Sequence, residues 1–311
     1  MDKQNPTLLG LVGHTPLVNM PHLSPKKGVR IFAKLEGQNP SGSVKDRIVL
    51  AMVEAAERRG DLKPGDTIIE ASSGNTAISL AMVAKQKGYG VRLVIPRHVA
   101  PSISDILKLY RGKVTWCDSP GGMKAAIDLA AAIAEREGYF YLRQFTNDVN
   151  EETHYGTTGT EIVEALPEVD AFVGGIGTGG TIMGVGRRLR EANSAVRIIG
   201  VEPRMGERLQ GLQSLSEAYP PPLLHVDQLD GRYLVDSVSA IRAARSVVAK
   251  EGLFAGISSG ATLHAALQLA KKMRQGNIVV MFSDGGWKYL PSRPWVGAAK
   301  LSAKLDEVHW W

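Results

Sequence analysis

Asn39-Pro40-Ser41-Gly42-Ser43-Val44-Lys45-Asp46-Arg47 decides how the rest of this chain is read. Pro, Ser and Gly crowd residues 39–43 and read as a turn, while the apolar spacing over 44–59 predicts a helix. Lys45 therefore falls in the first helical turn. Cations are disfavoured there, because a helix N-terminus already carries partial positive charge. Dipole and desolvation both lower a lysine's pKa, favouring the neutral amine that a Schiff-base nucleophile needs. The plainer alternative is an ordinary exposed lysine that follows a cap.

Outward from that stretch, strands and helices alternate. Residues 1–29 are irregular and rich in Pro and Gly, with no element expected before strand 29–35. Helix 44–59 precedes strand 67–71, helix 75–87, strand 91–95, helix 102–110, strand 113–117, helix 122–137 and strand 140–142. A second series follows: helix 151–166, strand 171–174, helix 181–192, strand 196–202, helices 238–250 and 259–273, and strand 277–282. Such alternation predicts an α/β fold with parallel sheets covered on both faces. Two series of that length predict two α/β domains with a cleft between them. Residues 203–234 carry Pro220-Pro221-Pro222 and little periodicity, so they read as a long loop, a kind that tends to be functional.

Composition narrows the function classes. The 311 residues are 44% hydrophobic and 22% charged, which is soluble globular composition. A net charge of +6 with scattered basic residues argues solubility, not nucleic-acid binding, and would help attract anionic substrates. Cys117 is the single cysteine, so no disulfide framework or cysteine-rich metal site is available. It ends a strand-like run and reads as a buried structural thiol. His14, His98, His154 and His225 show no metal-ligand spacing. No apolar run approaches the roughly 20 residues of a membrane span, and Met1-Asp2-Lys3-Gln4 opens no signal peptide, so the expected location is cytoplasmic.

Gly175-Ile176-Gly177-Thr178-Gly179-Gly180 follows a strand, opens a helix and satisfies G-x-G-x-x-G. Glu202 ends the next strand where a dinucleotide-binding domain places its ribose acid, so the segment alone suggests NAD. The physics common to any such loop is narrower: amides at a helix N-terminus cradle a phosphate. Thr178 and Thr181 add hydroxyls, which suits a terminal phosphate. Ser72-Ser73-Gly74-Asn75-Thr76 also sits between strand and helix; it reads as an N-cap, a carboxylate site, or both.

The Lys45 stretch resembles the cofactor-lysine segment of the cysteine synthase (O-acetylserine sulfhydrylase) family. Residues 72–76, 175–181 and 256–260 match that family's segments in the same order, and Gly13-His14-Thr15-Pro16-Leu17 is similar to its N-terminal signature, with His where Asn is usual. The resemblance covers nearly all of the chain. It implies a tryptophan-synthase-β-like fold (fold type II), a smaller mobile domain at 40–145, and a larger domain from 1–39 and 146–311. It implies pyridoxal 5′-phosphate (PLP) held by Lys45, with the cofactor also bound by Asn75, Gly177, Thr178, Gly179, Gly180, Thr181 and Ser258. Ser72, Ser73, Thr76 and Gln144 would then bind the substrate carboxylate. A dinucleotide would leave Lys45, Asn75 and Ser258 without roles, so PLP is preferred.

The implied activity is β-replacement of O-acetyl-L-serine by sulfide, through an α-aminoacrylate intermediate, to give L-cysteine and acetate. A homodimer in the family's manner is implied too, with small-molecule substrates (an activated serine and a sulfur donor), no nucleic acid and no membrane. Three departures stand out: Ala77 where the family usually has Gly, Arg97 where an acid is common, and Ser102-Ile103-Ser104 where an acidic-Arg-Arg run is usual. Residues 284–289 look like the B-type branch. Gln213 stands where phosphoserine-using relatives would place an arginine, which favours an acetyl leaving group. The terminal His309-Trp310-Trp311 is expected over the cleft or a dimer seam. A cystathionine β-synthase-like enzyme, another β-elimination enzyme, and a catalytically idle regulator on the same fold stay open.

Overall fold

The alternating pattern resolves into two sheets rather than one. The structure, a computed structural model, describes residues 7–72, 74–96, 101–119, 121–216 and 220–292. Among these, β1 (Leu17–Asn19), β2 (Val29–Leu35), β7 (Ala171–Gly175), β8 (Arg197–Pro203), β9 (Gly231–Val235) and β10 (Gly276–Phe282) form the larger sheet. Its order is β1-β2-β10-β7-β8-β9, parallel except for the β1–β2 pair. The smaller sheet takes β3 (Thr67–Ala71), β4 (Gly90–Pro96), β5 (Lys113–Cys117) and β6 (Phe140–Tyr141) in the parallel order β5-β4-β3-β6.

Both sheets bury both faces, and strand periodicity shows how. Val173, Ile199, Ile278 and Val280 join a core on one face of the larger sheet, while Phe172, Ile198, Val279 and Met281 join the core on the other. In the smaller sheet Ile68 and Leu93 point one way, Ile69 and Val94 the other. Alternate residues of a strand face opposite sides, so central strands covered twice must be apolar throughout. The covering helices are α1 (Lys45–Arg59), α2 (Asn75–Lys87), α3 (Pro101–Leu109), α4 (Gly122–Glu137), α5 (Val149–Thr153), α6 (Thr160–Ala165), α7 (Gly180–Ala192), α8 (Ser237–Glu251) and α9 (Ile257–Lys272). Cys117 is a buried free thiol, as its strand position suggests.

Three expectations need correction. The N-terminal region does hold local structure: a 3-10 turn at Leu8–Leu11 and the short strand β1. The single helix expected at 151–166 is α5, a π-helical turn over His154–Gly159, and α6. The loop after residue 203 ends in the parallel edge strand β9.

A buried ionic network locks the start of the chain to α1. Arg47 donates to Glu36 (Nε to Oε2, 2.7 Å) and to both Glu161 oxygens (2.7 Å each); Lys34 donates to Glu161 (2.5 Å) and to Thr15 O (2.6 Å). Burial pushes Glu161 upward, yet Arg47 and Lys34 outweigh it and hold the carboxyl at about 2. Gly13 N donates to Asn39 Oδ1 (2.8 Å) and His14 N to Glu161 (3.0 Å), so the opening signature rests on the Lys45 stretch.

Candidate active site

Lys45 opens α1, with Val44 as the N-cap. Val44 N donates to Ser283 O (2.8 Å) and Ser43 pairs with Asp284, which pins the turn before Lys45 to the chain leaving β10. The Lys45 residue is partly buried, and its amine makes no hydrogen bond among the described residues. Burial lowers the Lys45 pKa to about 8, with the Asp284 carboxylate pulling the other way.

Asp284 is the point on which the other segments converge. Its Oδ2 accepts from Asn75 Nδ2 (2.9 Å) and from the Tyr289 hydroxyl (2.7 Å), and Lys288 Nζ lies 3.8 Å away. Lys288 also donates to Asn75 Oδ1. A Cβ on Gly256 would stand 1.9 Å from Asp284 Oδ1, so this approach requires glycine, and Gly256 N donates to Asp284 O (3.0 Å). Ser258 lies in the first turn of α9, after the Gly256 N-cap, and is buried. Helix capping is thus not its role. Lys45, Asn75 and the Gly256–Ser258 turn, distant in sequence, share one carboxylate neighbourhood.

The glycine loop leaves β7 and enters α7. Gly179 adopts φ +92°, and a Cβ there would meet Leu224 N at 2.8 Å; a Cβ on Gly180 would stand 2.1 Å from Asn150 Oδ1. That oxygen is buried and has no hydrogen-bond partner, while Asn150 Nδ2 donates to Thr178 Oγ1 (3.0 Å) and to Gln144 O (2.9 Å). Thr181 Oγ1 lies 3.1 Å from His154 Nε2, whose other ring nitrogen is 2.9 Å from Thr158 Oγ1. Burial, then the Lys45 and Arg47 charges, hold His154 well below its usual pKa, so it is a neutral partner. The π-helical turn carries His154 and Thr158 on adjacent positions of one winding, a common placement for π-turns at functional sites.

At the head of α2, Ser72 Oγ accepts from Gly74 N (3.2 Å) and Ala77 N (3.3 Å). Ala77 therefore leaves the turn closed. Thr76 Oγ1 donates to Gln144 Oε1 (2.6 Å), and Gln144 Nε2 donates to Ala71 O (2.9 Å). Buried Glu70 accepts from Ala71 N (2.8 Å) and Gln144 N (3.0 Å); burial pushes its carboxyl up to about 8. Ser73, Arg97, His98 and the 309–311 tail lie outside the described residues.

Sequence reasoning passed over Asp284 as a hub, and also Asn150, His154 and Glu70. For Asp284 a signal existed, since an acid closing the apolar run 276–282 marks the C-terminal end of a parallel strand, where α/β sites assemble. Glu202 does not have the role its spacing suggests. Its oxygens are occupied by Leu215 N (2.7 Å) and Arg232 (2.8 Å), so it anchors the following loop instead of a ribose.

An amine with its pKa lowered to about 8, and the N-terminus of α7 where a Cβ on Gly179 or Gly180 would collide, with the Thr178 and Thr181 hydroxyls beside it, suit a phosphorylated aldehyde cofactor, and that donor set fits PLP. The chain belongs to the family of pyridoxal-phosphate dependent enzymes, whose family model matches residues 8–284. Within it, the similarity runs to fold type II proteins. A cysteine synthase of Staphylococcus aureus is 39% identical over 290 residues, covering 90% of this chain and 94% of that protein. Cysteine synthase B of Salmonella typhimurium is 39% identical over 285 residues, covering 91% and 94%. Among solved structures, an O-ureido-L-serine synthase superposes with a TM-score of 0.88 at 36% identity, covering 96% of this chain and 98% of that one. The cysteine synthase of Entamoeba histolytica superposes with a TM-score of 0.84 at 31% identity, covering 97% and 94%.

Proposed function

We propose that this protein is a cysteine synthase, replacing the acetyl group of O-acetyl-L-serine with sulfide at Cβ. The observation that carries the reading is Lys45, an amine with its pKa lowered to about 8 beside the carboxylate that also holds Asn75. Lys45 would hold PLP covalently, Gly177 to Thr181 its phosphate, Asn75 its ring oxygen and Ser258 its ring nitrogen. When bound, PLP supplies the electron sink for chemistry at the substrate Cα and Cβ. Ser72, Ser73, Thr76 and Gln144 would orient the amino acid by its carboxylate, at the N-terminal end of α2. Lys45 would also serve as the general base toward the substrate Cα proton. Asn150 supports both halves, tying the Gln144 carbonyl to Thr178.

The smaller sheet with its own cores supports a unit of about residues 40–145 that closes on the remainder and excludes water. A cytoplasmic homodimer is the proposed state. No described helix is long and apolar enough to cross a membrane.

The test supplies purified holoprotein with sulfide and either O-acetyl-L-serine or O-phospho-L-serine, scoring cysteine formed. Gln213 in place of an arginine would forgo a charge-assisted contact worth on the order of 1.5–3 kcal/mol, roughly ten- to a hundredfold in specificity. The acetyl ester should therefore win; no cysteine from either ester refutes the reading. Borohydride should fix the cofactor on Lys45, and a label on another lysine removes that assignment.

A further inference from the structure

Gln210 is a buried polar residue to which the reading above gives no work. It belongs to the run 204–216, which leaves the C-terminal end of β8 and lies over the glycine loop. Gly211 O is 2.7 Å from where a Cβ on Gly177 would stand, and Gln213 N donates to Ile176 O (2.8 Å). From that anchor Gln210 reaches the other sheet. Its Nε2 lies 2.7 Å from the Cβ position of Gly74, the N-cap of α2.

Gln210 is 5% exposed, and its carboxamide makes no hydrogen bond among the described residues. The polar side chains around it are differently placed. Thr76 Oγ1 donates to Gln144, Gln144 Nε2 donates to Ala71 O, and Ser72 Oγ accepts two backbone N–H groups, so each of these side chains would exchange or share a protein partner when it meets the carboxylate. What stays unspent is the Gln210 amide, beside the first N–H groups of a 13-residue helix whose N-cap offers no side-chain bond. A helix N-terminus favours an anion, and an amide donor aimed at it adds a directed bond.

We propose that Gln210 is a substrate-binding residue that donates from Nε2 to the α-carboxylate of the amino-acid substrate, from the wall opposite α2. This rests on the carboxylate-binding reading of the α2 N-terminus given above. The bound carboxylate then bridges the two sheets: one side is held by the head of α2, the other by the run that covers the glycine loop. An amine without a carboxylate cannot make that bridge.

The test uses holoprotein, wild type and Gln210→Ala, titrated with L-serine and with ethanolamine, which differ only by the carboxylate. The readout is the shift of the cofactor's visible band on binding. Gln210→Ala should weaken L-serine roughly ten- to a hundredfold, the worth of a neutral donor facing a charged acceptor, and leave ethanolamine unchanged. Gln210→Glu, which sets a like charge beside the carboxylate, should weaken L-serine further still. If both amines weaken alike, Gln210 serves packing and the proposal fails; it fails equally if L-serine binding is unmoved. Should Gln210→Ala lose the visible band, Gln210→Asn keeps the amide and shortens its reach. It should retain the band and lose the preference for L-serine, and loss of the band in both variants overturns the proposal. A wild-type protein with no visible band, or with one that L-serine leaves unmoved, refutes the underlying PLP and carboxylate reading instead.

Discussion

Recapture of PLP by the apo-protein should switch on through about pH 8. Burial lowers the Lys45 pKa from 10.5 to about 8, with Asp284 opposing. At neutral pH a group with that pKa is roughly a tenth unprotonated, against roughly 0.03% for an ordinary lysine, an advantage of about 300-fold in the reactive form. The same shift has a stability consequence. Between pH 8 and 10.5 the unfolded chain binds the proton that the folded amine has lost, so apo-protein stability rises with pH across that window, by about 3 kcal/mol in all. Asp284→Asn removes the negative charge that raises the Lys45 pKa, so the midpoint should move to lower pH. The assay strips the cofactor, mixes apo-protein with PLP over a pH series, and follows return of the borohydride-reducible band. A free amine run in parallel corrects for ionisation of PLP itself. A midpoint at 10.5 would show a solvated amine and refute the reasoning, as would an alkaline shift in Asp284→Asn.

Ser258→Asp should retain PLP on Lys45 yet lose most cysteine synthesis, because a carboxylate facing the ring nitrogen would keep it protonated; Ser258→Ala removes only about 1 kcal/mol of hydrogen bonding and should be milder. Cofactor content and turnover measured together check this, and native turnover in Ser258→Asp refutes it. Gly180→Ala forces a Cβ onto Asn150 Oδ1 at 2.1 Å and should weaken PLP retention in dialysis at least tenfold, whereas Gly156→Ala, with nothing within 4 Å, should not. Arg47→Met strips the counter-charge from buried Glu36 and partly buried Glu161 and should lower unfolding free energy by about 3–5 kcal/mol, read from the urea midpoint.

Local pattern carried most of the fold. The bounds of β3, β5, α2 and α4 are legible in the sequence because their apolar periods are unbroken and glycines end both helices in the left-handed region. The edge strand β9 was hidden by the irregular run before it, although its half-buried alternation is a strand signature. The π-helical turn at His154 could not be read, since one extra residue per turn leaves no clear period. Lys45 and the glycine loop were legible as local motifs. Asp284 stood at a readable strand end, but its bond to Asn75 across more than two hundred residues did not show; Asn150 and Gln210 were not legible at all, since their contacts span tens and more than a hundred residues respectively. Long-range pairing leaves no spacing to detect.

The position of β10 has a consequence for biosynthesis. This strand, residues 276–282, inserts between β2 at the start of the chain and β7 in the middle, and Asp284 follows it directly. The smaller sheet is complete once residue 141 has emerged from the ribosome, since all its pairings fall within residues 67–141. The larger sheet has a gap at its centre until nearly the whole chain is made, and pairing that distant is entropically slow. A nascent chain can thus carry a finished small sheet and an exposed Lys45 turn, while the carboxylate that organises the site is still unsynthesised. Premature termination before residue 276 removes the middle strand and the hub together.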